Sequence, residues 1–202
     1  MLRSRRNLLA STVSGLVLSA APAFASPDKT VRGISSALLR KALGALNRHH
    51  GNIAQRDVIG IADFALASRA PRFYLLDLGS GKVSSHLVAH GHGSDPMHTG
   101  WLQRFSNAPS SHATSAGAYR TDALYSGEHG PSIRLSGLDE SNSNARARAI
   151  VVHSAWYVSD DIARSSGMLG RSDGCFVFSD MSIREILTRL GPARMIYADR
   201  IA

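Results

Sequence analysis

One cysteine, Cys175, is all the thiol that this chain of 202 residues carries, so no disulfide can close within it. Aromatic residues make up only 6% of the sequence, and its lysines and arginines are scattered. That excludes the basic, aromatic-interleaved surface that nucleic-acid binding needs. No apolar run approaches the roughly 20 residues of a membrane-spanning helix, so stable membrane insertion is not expected. Acidic side chains are the minority, 15 against 23 basic ones. Such a balance suits work near an anionic surface without naming a partner.

The N-terminus sets the compartment. Arg3, Arg5 and Arg6 form a basic region, Leu8 to Ala21 is mildly apolar, and Ala23-Phe24-Ala25 is an A-x-A cleavage site. This is the pattern of a bacterial secretory signal over residues 1–25. Ser4-Arg5-Arg6-Asn7-Leu8-Leu9 also fits a twin-arginine signal, which exports a folded protein. A lipoprotein anchor is excluded, because no cysteine stands at the cleavage site. Removal of the three arginines, with no acidic residue in that segment, takes the formal charge from +8 to +5. Residues 26–202 then have the length of a single domain, expected to be soluble in the periplasm or cell envelope.

Hydrophobic periodicity predicts a helix over Ser35 to Asn47, ended by Gly51, and a second one opened by a capping box at Ser182-Ile183-Arg184-Glu185 and stopped by Gly191-Pro192. Between them, Val58 to Phe64, Arg72 to Leu78 and Val83 to His90 read as strands, the last two joined as a hairpin through Gly79-Ser80-Gly81-Lys82. Ala149 to Val152 reads as a central strand ending at His153-Ser154, and Met195 to Tyr197 as a final one. Residues 91–145 are dense in Gly, Ser, His and Asn. They offer only short strand candidates, at Ala118-Tyr119-Arg120 and Ile133-Arg134-Leu135, and so long an irregular region points to function. The periodicity alone supports a mainly β domain with two helices.

Cys175 is open to three readings: a small buried hydrophobe, an intermolecular disulfide or a reactive thiol. Gly170-Arg171-Ser172-Asp173-Gly174 matches the G-x-S-x-G elbow of serine hydrolases. That motif needs a downstream histidine and a preceding strand, and His153 is the last histidine of the chain. The cysteine fares better. His153, held at the end of a buried strand, is placed to act as a base toward a thiol 22 residues on. Gly174 lets backbone approach a substrate carbonyl, so that the N–H groups of Gly174 and Cys175 would form an oxyanion hole. The residues therefore propose a Cys/His acyl-transfer site.

His153-Ser154 followed by Gly170-Arg171-Ser172-Asp173-Gly174-Cys175 resembles the signature of the YkuD-type L,D-transpeptidases, and specifically the murein L,D-transpeptidase catalytic domain family. The blocks "RFYLLDL", "LVAHGHGS", "RFSNAPSSHATSAGAYRT" and "NARARAIVVHS" extend the resemblance from about residue 35 to the end. It implies an L,D-transpeptidase-like β-sandwich. Cys175 would be the nucleophile, His153 the general base, and Ser154 or a backbone carbonyl would orient the imidazole. Arg171, Ser172, His90 and Tyr119 would meet substrate, a peptidoglycan stem peptide serving as donor or acceptor. No cofactor is implied. Asp173 departs from the pattern, standing where most members have a second histidine; an aspartate close to the cysteine should raise the thiol pKa. Two alternatives to a cross-linker are an L,D-carboxypeptidase and a non-catalytic peptidoglycan-binding module. A zinc-chelating face of His86, His90 and His92, with His98 nearby, is a third, metal-hydrolase reading; no metal is expected, since a site needs three or four convergent ligands.

Overall fold

A computed structural model describes residues 33–201; the expected signal segment, residues 1–25, lies outside them. Helix α1, Ser36–Arg48, starts where the Ser35 side chain accepts from the Leu38 N–H. Its apolar positions Leu38, Ala42, Ala45 and Leu46 fall on one face and are buried, as their helical spacing requires.

Eight strands follow: β1 Val58–Asp63, β2 Phe73–Asp77, β3 Val83–His86, β4 Gly117–Gly127, β5 Gly130–Gly137, β6 Val151–Ser154, β7 Phe176–Phe178 and β8 Met195–Asp199. They hydrogen-bond in the order β3-β2-β1-β8-β4-β5-β6-β7. The sheet curls on itself, because the chain leaving β3 meets the far edge, where Ala89 bridges Val177. Apolar clusters lie on both faces. Val58, Ala62, Phe73, Leu75, Ile196, Phe176 and Phe178 point inward, whereas Ile59, Ile61, Tyr74, Leu76, Met195 and Tyr197 pack outward against α1. Burial on both faces explains why these strands are nearly continuous apolar runs instead of alternating ones. Gly60 fits the same layering, since a Cβ there would lie 2.6 Å from the Phe73 ring.

The expected mainly β architecture with a helix near each end is what the chain adopts, with three differences in detail. The C-terminal helix, α3 Asp180–Leu190, begins before the expected capping box. Its cap is Ser179, which accepts from the Ser182 N–H directly after β7 ends. A further short helix, α2 Asp160–Ser166, forms where the hydrophobic pattern predicts no element, capped by Ser159 and ended by Gly167 in the left-handed conformation. Part of the irregular-looking region is regular: β4 and β5 form a long antiparallel hairpin with a register shift between Thr121 and Leu124. Among the described residues no helix is long and apolar enough to cross a membrane.

Candidate active site

β6 and β7 are parallel neighbours, with Val152 opposite Phe176 and His153 opposite Val177. A parallel pair needs a crossover, and α2 lies within it. Phe176 belongs to the inner core, so by strand alternation Cys175 and His153 leave the sheet on its other face. Both line one cleft of about 560 Å³, together with His129, Arg148, Trp156, Tyr157, Arg171 and Asp173.

His153 is 3% exposed. Its Nδ1 donates to the backbone carbonyl of Ser154 at 2.9 Å. The Ser154 carbonyl therefore fixes the tautomer, leaving the Nε2 lone pair as the basic one. Burial lowers the imidazole pKa, opposed by the Ser154 contact and helped by His129. His129, at the tip of the β4–β5 hairpin, stacks on the ring with centroids 4.2 Å apart. The Cys175 thiol donates to the Ala149 carbonyl at 3.7 Å. Ala149 adopts a positive φ of 53°, a conformation rare for a residue with a Cβ. Burial is the main cause that pushes the thiol up to about 11, and the charge of Asp173 adds to it, against the Val151 N–H and Arg148. At neutral pH the cleft consequently holds a neutral thiol and a neutral imidazole.

The turn before the cysteine is tied by Ser172, whose Oγ accepts from the Gly174 N–H at 3.1 Å and donates to the Cys175 carbonyl at 2.8 Å. Gly174 has φ 115°, and a Cβ there would meet the Ala113 carbonyl at 2.6 Å. Only glycine suits that place. Its N–H, expected as an oxyanion donor, is occupied by Ser172. The Cys175 N–H has no hydrogen-bond partner among the described residues.

A model of the L,D-transpeptidase catalytic domain matches residues 30–198. The chain belongs to this family. The resemblance read from the Cys175 and His153 blocks thus holds across nearly the whole chain. Among solved structures, an L,D-transpeptidase from Mycobacterium smegmatis is 14% identical, with 71% of this chain and 58% of that one covered and a TM-score of 0.44. L,D-transpeptidase 1 of Mycobacterium tuberculosis is 14% identical over 70% and 60%, with a TM-score of 0.37. The helical cell shape determining protein Pgp2 of Campylobacter jejuni is 10% identical over 74% and 49%, with a TM-score of 0.47. The chain spans about 60% of the length of the first solved structures it matches. No curated protein matches it.

Within this L,D-transpeptidase domain, the residues expected to touch substrate divide. Arg171 lines the cleft, with its guanidinium donating to the carbonyls of Asp95 and Pro96. Ser172 also borders it but is spent on the turn. Tyr119 is instead wholly buried: its hydroxyl donates to the Ser115 carbonyl at 2.7 Å and its ring meets Phe176 edge-on at 5.3 Å. Its strand alternation turns it into the core, so it supports the floor beneath the cysteine strand and reaches no ligand.

His90 is 1% exposed and also turned inward. Its Nδ1 accepts from the buried Arg72 at 2.7 Å, and its Nε2 lies 3.5 Å from Asp95. Desolvation, with Arg72 second, lowers its pKa to about 3. Its backbone carbonyl accepts from the Ser172 N–H, so His90 braces the cysteine turn from behind. The supposed histidine face does not assemble. β3 ends at His86, which bonds Ser84, His92 sits on an exposed turn, and His98 donates to the Leu169 carbonyl.

Four cleft residues named in no sequence-based role are His129, Arg148, Trp156 and Tyr157. Arg148 holds the neighbouring loop through Ser106, Ser115 and Ala113; its "NARARAIVVHS" block was the available signal. Tyr157 stays protonated, its pKa pushed to about 12 by burial and then by Cys175 and Asp173. It and His129 reach the cleft only through tertiary packing.

Proposed function

We propose that this chain is an exported L,D-transpeptidase that cross-links peptidoglycan stem peptides through a thioester on Cys175. Residues 1–25 would direct export, by the general or the twin-arginine route, and residues 26–202 would form one catalytic domain in the periplasm or cell envelope. The observation that carries the reading is the placement at one cleft of His153, on β6, and Cys175, directly before the adjacent parallel strand β7, with His153 Nδ1 committed to the Ser154 carbonyl.

His153 Nε2 takes the thiol proton as sulfur attacks the carbonyl of the donor stem. The oxyanion that forms takes a hydrogen bond from the Cys175 N–H. Collapse breaks the peptide bond, and His153 returns the proton to the departing amine. A side-chain amine of a diamino acid in a neighbouring stem then attacks the thioester, giving its proton to His153. The sulfur leaves with that proton, restoring the thiol. Arg148 and Arg171 give the cleft a cationic rim suited to stem-peptide carboxylates.

Mass spectrometry of disaccharide-tetrapeptide incubated with the purified protein, in parallel with Cys175→Ala, tests this. Cross-linked dimers made by the wild type alone are expected. Shortened monomers alone would make the protein an L,D-carboxypeptidase, with water resolving the thioester. No product would favour a peptidoglycan-binding module, and product from both proteins would remove Cys175 from the mechanism.

A further inference from the structure

Beside the cleft, three segments distant in sequence bring together side chains that the acyl-transfer chemistry does not use. His92 comes from the turn after β3, His112 from the loop before β4, and Asp173 from the cysteine turn. His112 Nδ1 lies 3.1 Å from Asp173 Oδ1, and His92 Nε2 lies 3.7 Å from the same oxygen. The ligand atoms all fall within 4.8 Å of one another, and the imidazole centroids are 4.6 Å apart.

We propose that His92 Nε2, His112 Nδ1 and Asp173 Oδ1 form a site for one divalent transition-metal ion of the zinc class. Two imidazoles and a carboxylate are the borderline donors that such ions select, in preference to calcium or magnesium. Tetrahedral bonds of about 2.0–2.1 Å place ligand atoms about 3.4 Å apart. Two of the separations already bracket that value, and a small rotation of one ring closes the third. Three protein ligands leave a fourth position open to water or to an anionic group.

The backbone beneath the three side chains is fixed. The His92 N–H donates to the Ser172 carbonyl at 2.7 Å and the Gly93 N–H to the His112 carbonyl at 2.9 Å. A Cβ at Gly91 would collide with the His112 carbonyl and lie 2.8 Å from the Gly174 Cα; one at Gly93 would collide with the Ser111 carbonyl. His112 itself is held at a positive φ of 51°. A second hollow of about 380 Å³, lined by His112, Arg148, Ala149 and Asp173, gives the group access from solvent. In the metal-free protein the His112 Nδ1 proton lies toward Asp173, and binding displaces it.

The test is calorimetric titration of the purified protein with zinc chloride, together with the visible spectrum on adding cobalt(II). One ion per chain is expected, with absorption of tetrahedral intensity for cobalt. Affinity should fall at least about tenfold in His112→Gln, His92→Gln and Asp173→Asn, and stay at the wild-type level in Cys175→Ala and in the remote His50→Gln. Thermal midpoints identify any variant that fails to fold, and the remaining two then decide. Absence of saturable binding, binding lost in Cys175→Ala, or binding indifferent to all three ligand substitutions would each overturn the site. None of these readouts requires the protein to be a transpeptidase.

Discussion

His153 and Cys175 line one cleft as uncharged groups at rest, since burial lowers the one and raises the other to about 11. An ion pair of thiolate and imidazolium would behave differently, because its thiolate exists well below the free-thiol pKa. Alkylation of Cys175 by iodoacetamide is therefore expected to accelerate about tenfold per pH unit from neutrality to about pH 10. A plateau below pH 8 would show an ion pair instead. In His153→Ala that profile persists, whereas acyl transfer falls by about 10²–10⁴. Both residues were legible in the sequence, because a strand-end histidine and a glycine-flanked thiol are local patterns. His90 and Tyr119 were misplaced by the same local reasoning. Their blocks lie beside the site, but which face of the chain each presents is decided by packing: Arg72 claims His90, and Phe176 claims Tyr119.

At the scale of elements, the pieces read well from sequence were those whose burial pattern is complete: α1, β1, β2 and β8. The β4–β5 hairpin was read poorly because it is buried only near its base. From Leu124 onward it runs out toward solvent, and the alternation disappears. Helix α2 was missed because seven residues bury only Ala163. The expected cap of α3, Ser182, falls inside the helix, because β7 ends at Phe178 and Ser179 caps directly after it. The close fit of β1 against β2 gives a sharp expectation. Gly60→Ala pushes a methyl into the Phe73 ring and should cost about 1–3 kcal/mol. Urea unfolding measures it, and Phe73→Leu in the same background should recover part of the loss; an unchanged midpoint would mean the ring yields freely.

For the whole molecule, buried titratable groups set the pH range of stability. His90 has a folded pKa of about 3 against an ordinary value of 6.5. The unfolded chain then takes up a proton that the folded chain refuses. Stability is complete above about pH 6.5 and declines as pH falls toward 3, by on the order of 5 kcal/mol. His153 and His86, also lowered by burial, act in the same direction. Cys175 works at the other end: its raised pKa favours the folded state below about pH 9, and that gain is lost as pH rises through 11. Denaturation midpoints followed from pH 4 to 10 should form a plateau between about 6.5 and 9, with the acid decline reduced in His90→Gln. An acid limb unchanged in that variant would assign it to other groups.

The same protonated thiol has a consequence for how long the protein lasts. Peroxides and disulfides react with sulfur in its anionic form. In the oxidising compartment proposed for this chain, a lone exposed thiolate would be consumed as sulfenic acid or as a mixed disulfide, with no second cysteine to restore it. Held as a thiol against the Ala149 carbonyl, Cys175 would, in the proposed mechanism, become nucleophilic only when His153 removes its proton against a bound carbonyl. Under that proposal, chemical durability between turnovers and reactivity during them would come from one arrangement of burial and base.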